Sequence, residues 1–149
     1  MQPARLAALC LLPLLSGGCL MLPVVEDHVY STCHALGSSG WTARVDYIPD
    51  HHNRPIYKPT LVVSGRVTLP GEGYAVSLDL GPVQKLDAPV QQILVRTEPP
   101  SGPPSGGKRD VFVRGAFPAL KHYGSVTIRC GDGTLAIIKP VPREAKPGR

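Results

Sequence analysis

The chain has 149 residues with a formal net charge of +5, and 42% of its residues are hydrophobic. This length allows one domain with a core of its own. The basic residues are scattered along the chain except for a cluster in residues 139–149, and this distribution argues against a nucleic-acid-binding protein.

The first 18 residues have the order of a secretory signal peptide. Arg5 is followed by the apolar run LAALCLLPLL and then by the small residues SGG. A ten-residue run is too short for a membrane-spanning helix, which needs about twenty residues. The sequence therefore predicts a cleaved leader over residues 1–18 rather than a transmembrane anchor.

The end of the leader, LSGGC, resembles the lipobox of bacterial lipoproteins. Leu15 stands one position farther from Cys19 than the leucine that this family prefers, and Ser16 takes that place. The resemblance implies that Cys19 begins the mature chain and carries acyl chains such as palmitate, which bind membrane lipid. Because Leu20 rather than Asp follows the cysteine, it also implies the outer membrane, with the domain facing the periplasm. The alternative is an ordinary secreted protein in which this cysteine is incidental.

The four cysteines of the chain divide into two groups. Cys10 lies in the leader, and Cys19 is assigned to lipid. The remaining pair, Cys33 and Cys130, is predicted to form one disulfide because exported proteins fold in oxidising surroundings. Two unpaired thiols are the alternative.

The mature chain shows strand patterns and no convincing helical period. Residues 19–40 are predicted to form a lipidated tether, residues 41–139 a β-sandwich domain and residues 140–149 a disordered tail. Runs rich in Val, Ile, Leu, Thr and Tyr recur between Pro and Gly clusters. They predict seven strands, at 42–48, 60–69, 74–80, 90–98, 110–116, 125–130 and 134–139. Trp41 is placed just before the first of them. Strand alternation predicts three buried faces: Leu61, Val63, Gly65, Val67 and Leu69; Tyr74, Val76, Leu78 and Leu80; and Val126, Ile128 and Cys130.

Turn residues between the strands predict how some of them pair. PGEG at 70–73 predicts a hairpin between strands 60–69 and 74–80. GDG at 131–133 predicts a hairpin between the last two strands. Seven short strands with a buried cystine are typical of an antiparallel β-sandwich of immunoglobulin-like type.

Two segments interrupt the strand pattern. Residues 49–59 are bounded by prolines and contain Asp50, His51 and His52. Adjacent histidines in an extended chain point to opposite sides, so no metal site is predicted there. Residues 98–110 are rich in Gly and Pro and are predicted to be flexible and extended.

No pattern in the chain indicates catalysis. GSSGW at 37–41 is not the nucleophile-elbow motif, and the cysteines have other predicted roles. We therefore predict a non-catalytic envelope lipoprotein without cofactor or metal that supports or binds another envelope protein. Its candidate contact residues are His51, His52, Arg54 and Tyr57, since Tyr and Arg often anchor interfaces. The alternative is a periplasmic inhibitor or small-ligand-binding module acting through segment 49–59 or 98–110.

Overall fold

The computed structural model describes residues 32–50 and 56–146, so the leader and Cys19 lie outside the described residues. The described part is all-β, as predicted. It contains seven strands: β1 (Gly37–Asp50), β2 (Ile56–Leu69), β3 (Ala75–Gln84), β4 (Val90–Glu98), β5 (Arg109–Pro118), β6 (Ser125–Cys130) and β7 (Gly133–Ile138). Over the same residues, no helix has the length and apolar character needed to cross a membrane.

The strands form two sheets that pack as a β-sandwich, which confirms the predicted architecture. One sheet has the order β1-β2-β5 and the other the order β3-β4-β6-β7. The pairing is not purely antiparallel, because β4 and β6 run parallel. Parallel neighbours need a long crossover connection, and the passage of the chain through β5 in the opposite sheet supplies it. The immunoglobulin-like arrangement is not confirmed by this strand order.

The predicted hairpin between β2 and β3 is wrong. β2 is the central strand of its sheet and pairs with β1 and β5, whereas β3 pairs with β4. The turn at 70–73 instead carries the chain from one sheet to the other. Its Glu72 N–H donates to the carbonyl oxygen of Ser105 at 2.7 Å, so the turn pairs with the β4–β5 connection. The predicted hairpin between β6 and β7 is confirmed.

The core lies between the two sheets and agrees with the predicted alternation in β2 and β6, whereas Leu80 of β3, predicted to face inward, is 46% exposed. The inward residues of β2 and β6 are buried: Leu61, Val63, Gly65, Val67, Leu69, Val126, Ile128 and Cys130. Val62 departs from the pattern, since it lies on the outer face of β2 but is only 4% exposed. Its neighbours in register are Arg44 on β1 and Ala116 on β5, so adjacent strands flank it on both sides.

Trp41 lies within β1 and not before the first strand. The register with β2 shifts between Ser39 and Thr42, and Gly40 in this irregularity has a φ of 63°. A bulge of this kind can re-aim a side chain. The indole ring lies against Gly65, where an added Cβ would overlap the ring. Position 65 therefore needs a residue without a side chain.

The predicted disulfide between Cys33 and Cys130 is present, with 5.2 Å between the Cα atoms. It joins the segment before β1, residues 32–36, to the end of β6. The N–H of His34 donates to Thr97 Oγ1 at 2.9 Å, and the N–H of Leu36 donates to the Thr68 carbonyl at 2.8 Å. Residues 32–36, within the predicted tether, are therefore fixed to the domain by the disulfide and these hydrogen bonds.

Residues 141–144 of the predicted disordered tail lie against the outer edge of β1. The N–H of Val45 donates to the carbonyl of Pro142 at 2.8 Å, and the N–H of Glu144 donates to the carbonyl of Val45 at 2.9 Å. Val141 packs against the core. This segment is fixed by long-range backbone hydrogen bonds despite its proline-rich composition.

Candidate functional site

The structure describes only part of segment 49–59, the first of the two segments that the sequence nominates for partner contact. His51, His52 and Arg54 lie outside the described residues, so their predicted contact role stays a prediction. Tyr57 lies in β2 opposite Pro49 in β1 and is half-buried. Strand pairing continues to Asp50 and Ile56, so the ends of segment 49–59 are strand rather than loop.

The second nominated segment, 98–110, is exposed but is not free of contacts. It connects β4 to β5 and accepts the hydrogen bond from Glu72 through the Ser105 carbonyl. Gly71 is buried beneath it, and a Cβ there would lie 2.7 Å from the Ser105 oxygen. The predicted flexible, extended loop is therefore held to the 70–73 turn at this point.

A cleft lies at the end of the sandwich opposite the disulfide. In the parallel pair, Val90 and Ser125 are at the cleft end, whereas Cys130 is at the disulfide end. We define the cleft by its lining residues: Val83, Lys85, Leu86, Pro89, Leu120, Lys121 and His122. Its volume is about 330 Å³, within the range of small-molecule pockets.

Backbone contacts hold the two loops that form the cleft, residues 85–89 and 119–124, together. The N–H of Gly124 donates to the carbonyl of Pro89 at 2.8 Å. His122 Nε2 lies 3.3 Å from the carbonyl oxygen of Asp87, to which it can donate. Position 124 needs glycine because a Cβ there would lie 2.5 Å from the carbonyl oxygen of Ala88. The cleft is thus a preformed feature of the fold.

The C-terminal segment supports the second of these loops from behind. Arg143 Nη2 donates to the carbonyl oxygens of Leu120 at 2.5 Å and Lys121 at 2.8 Å. The N–H of Leu120 donates to the hydroxyl oxygen of Tyr123 at 2.9 Å. The residues predicted to form a disordered tail therefore contribute to the site.

Burial raises the pKa of Tyr123 above its ordinary value of 10.0, although the hydrogen bond from Leu120 and the charge of Arg143 act in the opposite direction. The unfolded chain loses this proton near pH 10, while the folded chain retains it to higher pH. The contribution of Tyr123 to stability is therefore fully present below about pH 10 and is lost as the pH rises through the raised pKa.

Tyr123→Phe tests this linkage. We expect the variant to be less stable than wild type by about 1 kcal/mol at neutral pH, because the Leu120 N–H loses its acceptor. Above about pH 10 the difference should shrink, because only the wild-type chain loses stability through this hydroxyl. Urea unfolding of both proteins at several pH values measures the effect. A difference that stays constant into the alkaline range would contradict it.

We call the apolar lining residues Val83, Leu86, Pro89 and Leu120 the floor of the cleft and the exposed Lys85, Lys121 and His122 its rim, where the two lysines supply positive charge. Asp87 is the exposed carboxylate on the first loop. Leu86 is 62% exposed. A ligand that combines an apolar group with an acidic group fits this arrangement. Over the described residues, no group of three His, Cys, Asp or Glu side chains is placed to hold a metal ion.

Sequence reasoning missed the cleft because its two loops are far apart along the chain. The local signal was an exposed leucine in a polar turn, KLDAP at 85–89. No family model, curated protein or solved structure matches the chain. The interpretation of the cleft therefore rests on its own residues.

Proposed function

We propose that this chain is a non-catalytic lipoprotein of the bacterial envelope that binds another envelope protein. Cys19 anchors it in the outer membrane, and the domain faces the periplasm. The observation that carries the proposal is the pairing of a lipobox-like leader with a disulfide between Cys33 and Cys130. Disulfides persist in oxidising compartments, and the leader directs the chain to one.

The position of the disulfide supports an orientation for the anchored domain. The chain enters the domain through residues 32–36, which lie at the Cys130 end of β6. The cleft lies at the other end of the same strand. A domain tethered through its disulfide end presents the cleft away from the attachment point of the tether, where a periplasmic partner can reach it.

The chemistry of the cleft favours a protein segment with an apolar side chain next to acidic residues. The apolar floor takes the side chain, and Lys85 and Lys121 at the rim attract the carboxylates. Complementary charge increases specificity and the rate of association. Because backbone hydrogen bonds already fix both loops, binding costs little ordering of the site.

Photo-cross-linking in intact cells tests this proposal. A benzophenone amino acid placed at Leu86 should give one discrete protein adduct. The matched control is the same replacement at Leu36, which is 53% exposed at the disulfide end and should not give that adduct. Adding Lys85→Glu and Lys121→Glu should strongly reduce the adduct from position 86.

The outcomes of this experiment distinguish a protein partner from a small-molecule ligand. A lysine-dependent protein adduct at position 86 alone supports the proposal. A complete absence of protein adducts at position 86, or an adduct with only the mass of a small molecule, would overturn protein binding at the cleft. Equal adducts from positions 86 and 36 would also overturn it, because such contacts would not depend on the cleft.

A further inference from the structure

β5 is an edge strand whose outer side has no backbone partner among the described residues. It pairs with β2 on one side from Arg109 to Pro118. Beneath it lies β3 of the other sheet, since a Cβ at Gly115 would lie 3.3 Å from Leu78 Cβ. An edge of this kind offers a row of backbone donors and acceptors to another strand.

β5 is also the most regular of the edge strands. The pairings of β1, β3 and β7 each contain a register shift, whereas the pairing of β5 with β2 contains none over the described residues. The hydrogen bonds of Val45 to residues 142–144 additionally cover part of the β1 edge. Bulges and covering segments protect edges against pairing, and within residues 32–50 and 56–146 β5 has neither.

Three exposed side chains follow one another on the outer face of β5. Phe112 is 59% exposed, and Asp110 and Arg114 stand two residues before and after it. Thr68 on β2 donates to Asp110 Oδ1 at 2.6 Å, which holds this carboxylate beside its strand. An acidic residue, an aromatic residue and a basic residue are thus spaced symmetrically about position 112.

We propose that β5 pairs with β5 of a second copy of this chain, antiparallel and centred on Phe112. Residues directly opposite in antiparallel strands lie on the same face. This register places Asp110 of each copy opposite Arg114 of the other, and the two Phe112 rings meet at the two-fold axis. On the inner face Val111 lies opposite Val113. The interface is isologous, as closed dimers require.

Charge selects this register over its neighbours. Centring the pair on Asp110 would oppose two carboxylates, and centring it on Arg114 would oppose two guanidinium groups. Centring it on Val113 would leave Asp110 opposite Ala116 and Phe112 opposite Arg114. Like charges directly opposite are destabilising, whereas opposite charges and aromatic pairs are stabilising. The dimer does not depend on the function proposed for the cleft.

Charge reversal tests the pairing. Native mass spectrometry of the full chain, released from detergent, measures how much dimer each variant forms. Wild type should give a dimer. Asp110→Arg and Arg114→Asp should each lose most of it, with association weakened about tenfold or more, because two symmetric pairs become repulsive. An equimolar mixture of these two variants should give a heterodimer, since all its facing charges are opposite. The double variant should again form a homodimer.

Arg66→Asp is the matched control, because Arg66 lies on the same exposed face one strand in from the edge, beside Phe112, and faces no residue of the second copy in this register. It should leave the dimer intact. Urea unfolding of each variant should show that the fold is retained. A monomeric wild type, or single reversals that dimerise as well as wild type, would overturn the proposal. So would a mixture of the single variants that stays monomeric.

Discussion

Replacing Cys33 and Cys130 together by alanine is expected to lower the free energy of unfolding by about 2–5 kcal/mol. The two cysteines are 97 residues apart in sequence, so the disulfide restricts most of the domain in the unfolded state. A cross-link that closes a long loop removes much of the conformational entropy that folding must overcome. Cys130 is also 3% exposed, so its truncation removes buried contacts.

Urea unfolding of wild type and the double variant under non-reducing conditions measures this effect. The matched control is Thr97→Val, which removes the side-chain acceptor for the His34 N–H and leaves the disulfide intact. Its cost should be smaller, about 0.5–1.5 kcal/mol, because one partly buried hydrogen bond is lost. If the cysteine variant were as stable as wild type, the disulfide would not constrain the domain as we infer.

Cys19→Ala is expected to release the protein from the membrane fraction or to leave an uncleaved precursor. The lipid anchor implied by the leader requires the thiol of residue 19. Each buried methylene contributes about 0.8 kcal/mol to membrane binding, and two acyl chains already give stable anchoring. Cell fractionation and intact-mass analysis measure the outcome. The wild-type mass should show loss of residues 1–18 and added acyl groups.

Cys10→Ala is the matched control for this prediction. It makes the same substitution in the predicted leader and should leave both the location and the acylated mass unchanged. If the Cys19 variant still partitions into detergent as wild type does, the lipoprotein proposal fails. A mature wild-type mass without acyl groups would contradict it independently.

The sequence was sufficient to predict that seven strands form and which faces of β2 and β6 are buried, although β1 and β2 extend beyond their predicted bounds. Alternation in β2 placed Leu61, Val63 and Val67 inward, and the same rule placed Cys130 inward on β6. These properties follow from the two-residue period of a strand, which each strand carries in its own residues. The disulfide could be predicted because export and the other roles of Cys10 and Cys19 left one pair of cysteines.

Local sequence could not decide which strands become neighbours. A turn such as PGEG reverses the chain equally well inside one sheet or between two sheets. The choice depended on β1 and β5 occupying both edges of β2. The parallel pairing of β4 with β6 has the same origin, because it results from the passage through β5. Which strands pair therefore depends on all the strand edges that compete for the same partners.

The candidate cleft depended still more on tertiary structure. Its two loops are brought together by the hydrogen bond from Gly124 to Pro89 and are supported by Arg143 near the end of the chain. Main-chain carbonyls accept these bonds, and a carbonyl is the same whatever its side chain, so the sequence carries little record of them. The sequence by itself determined the number and approximate positions of the strands, the buried faces of β2 and β6, and the cystine. The partners of each strand, the fixed position of residues 141–144 and the cleft depend on contacts between backbone segments that are far apart in the sequence.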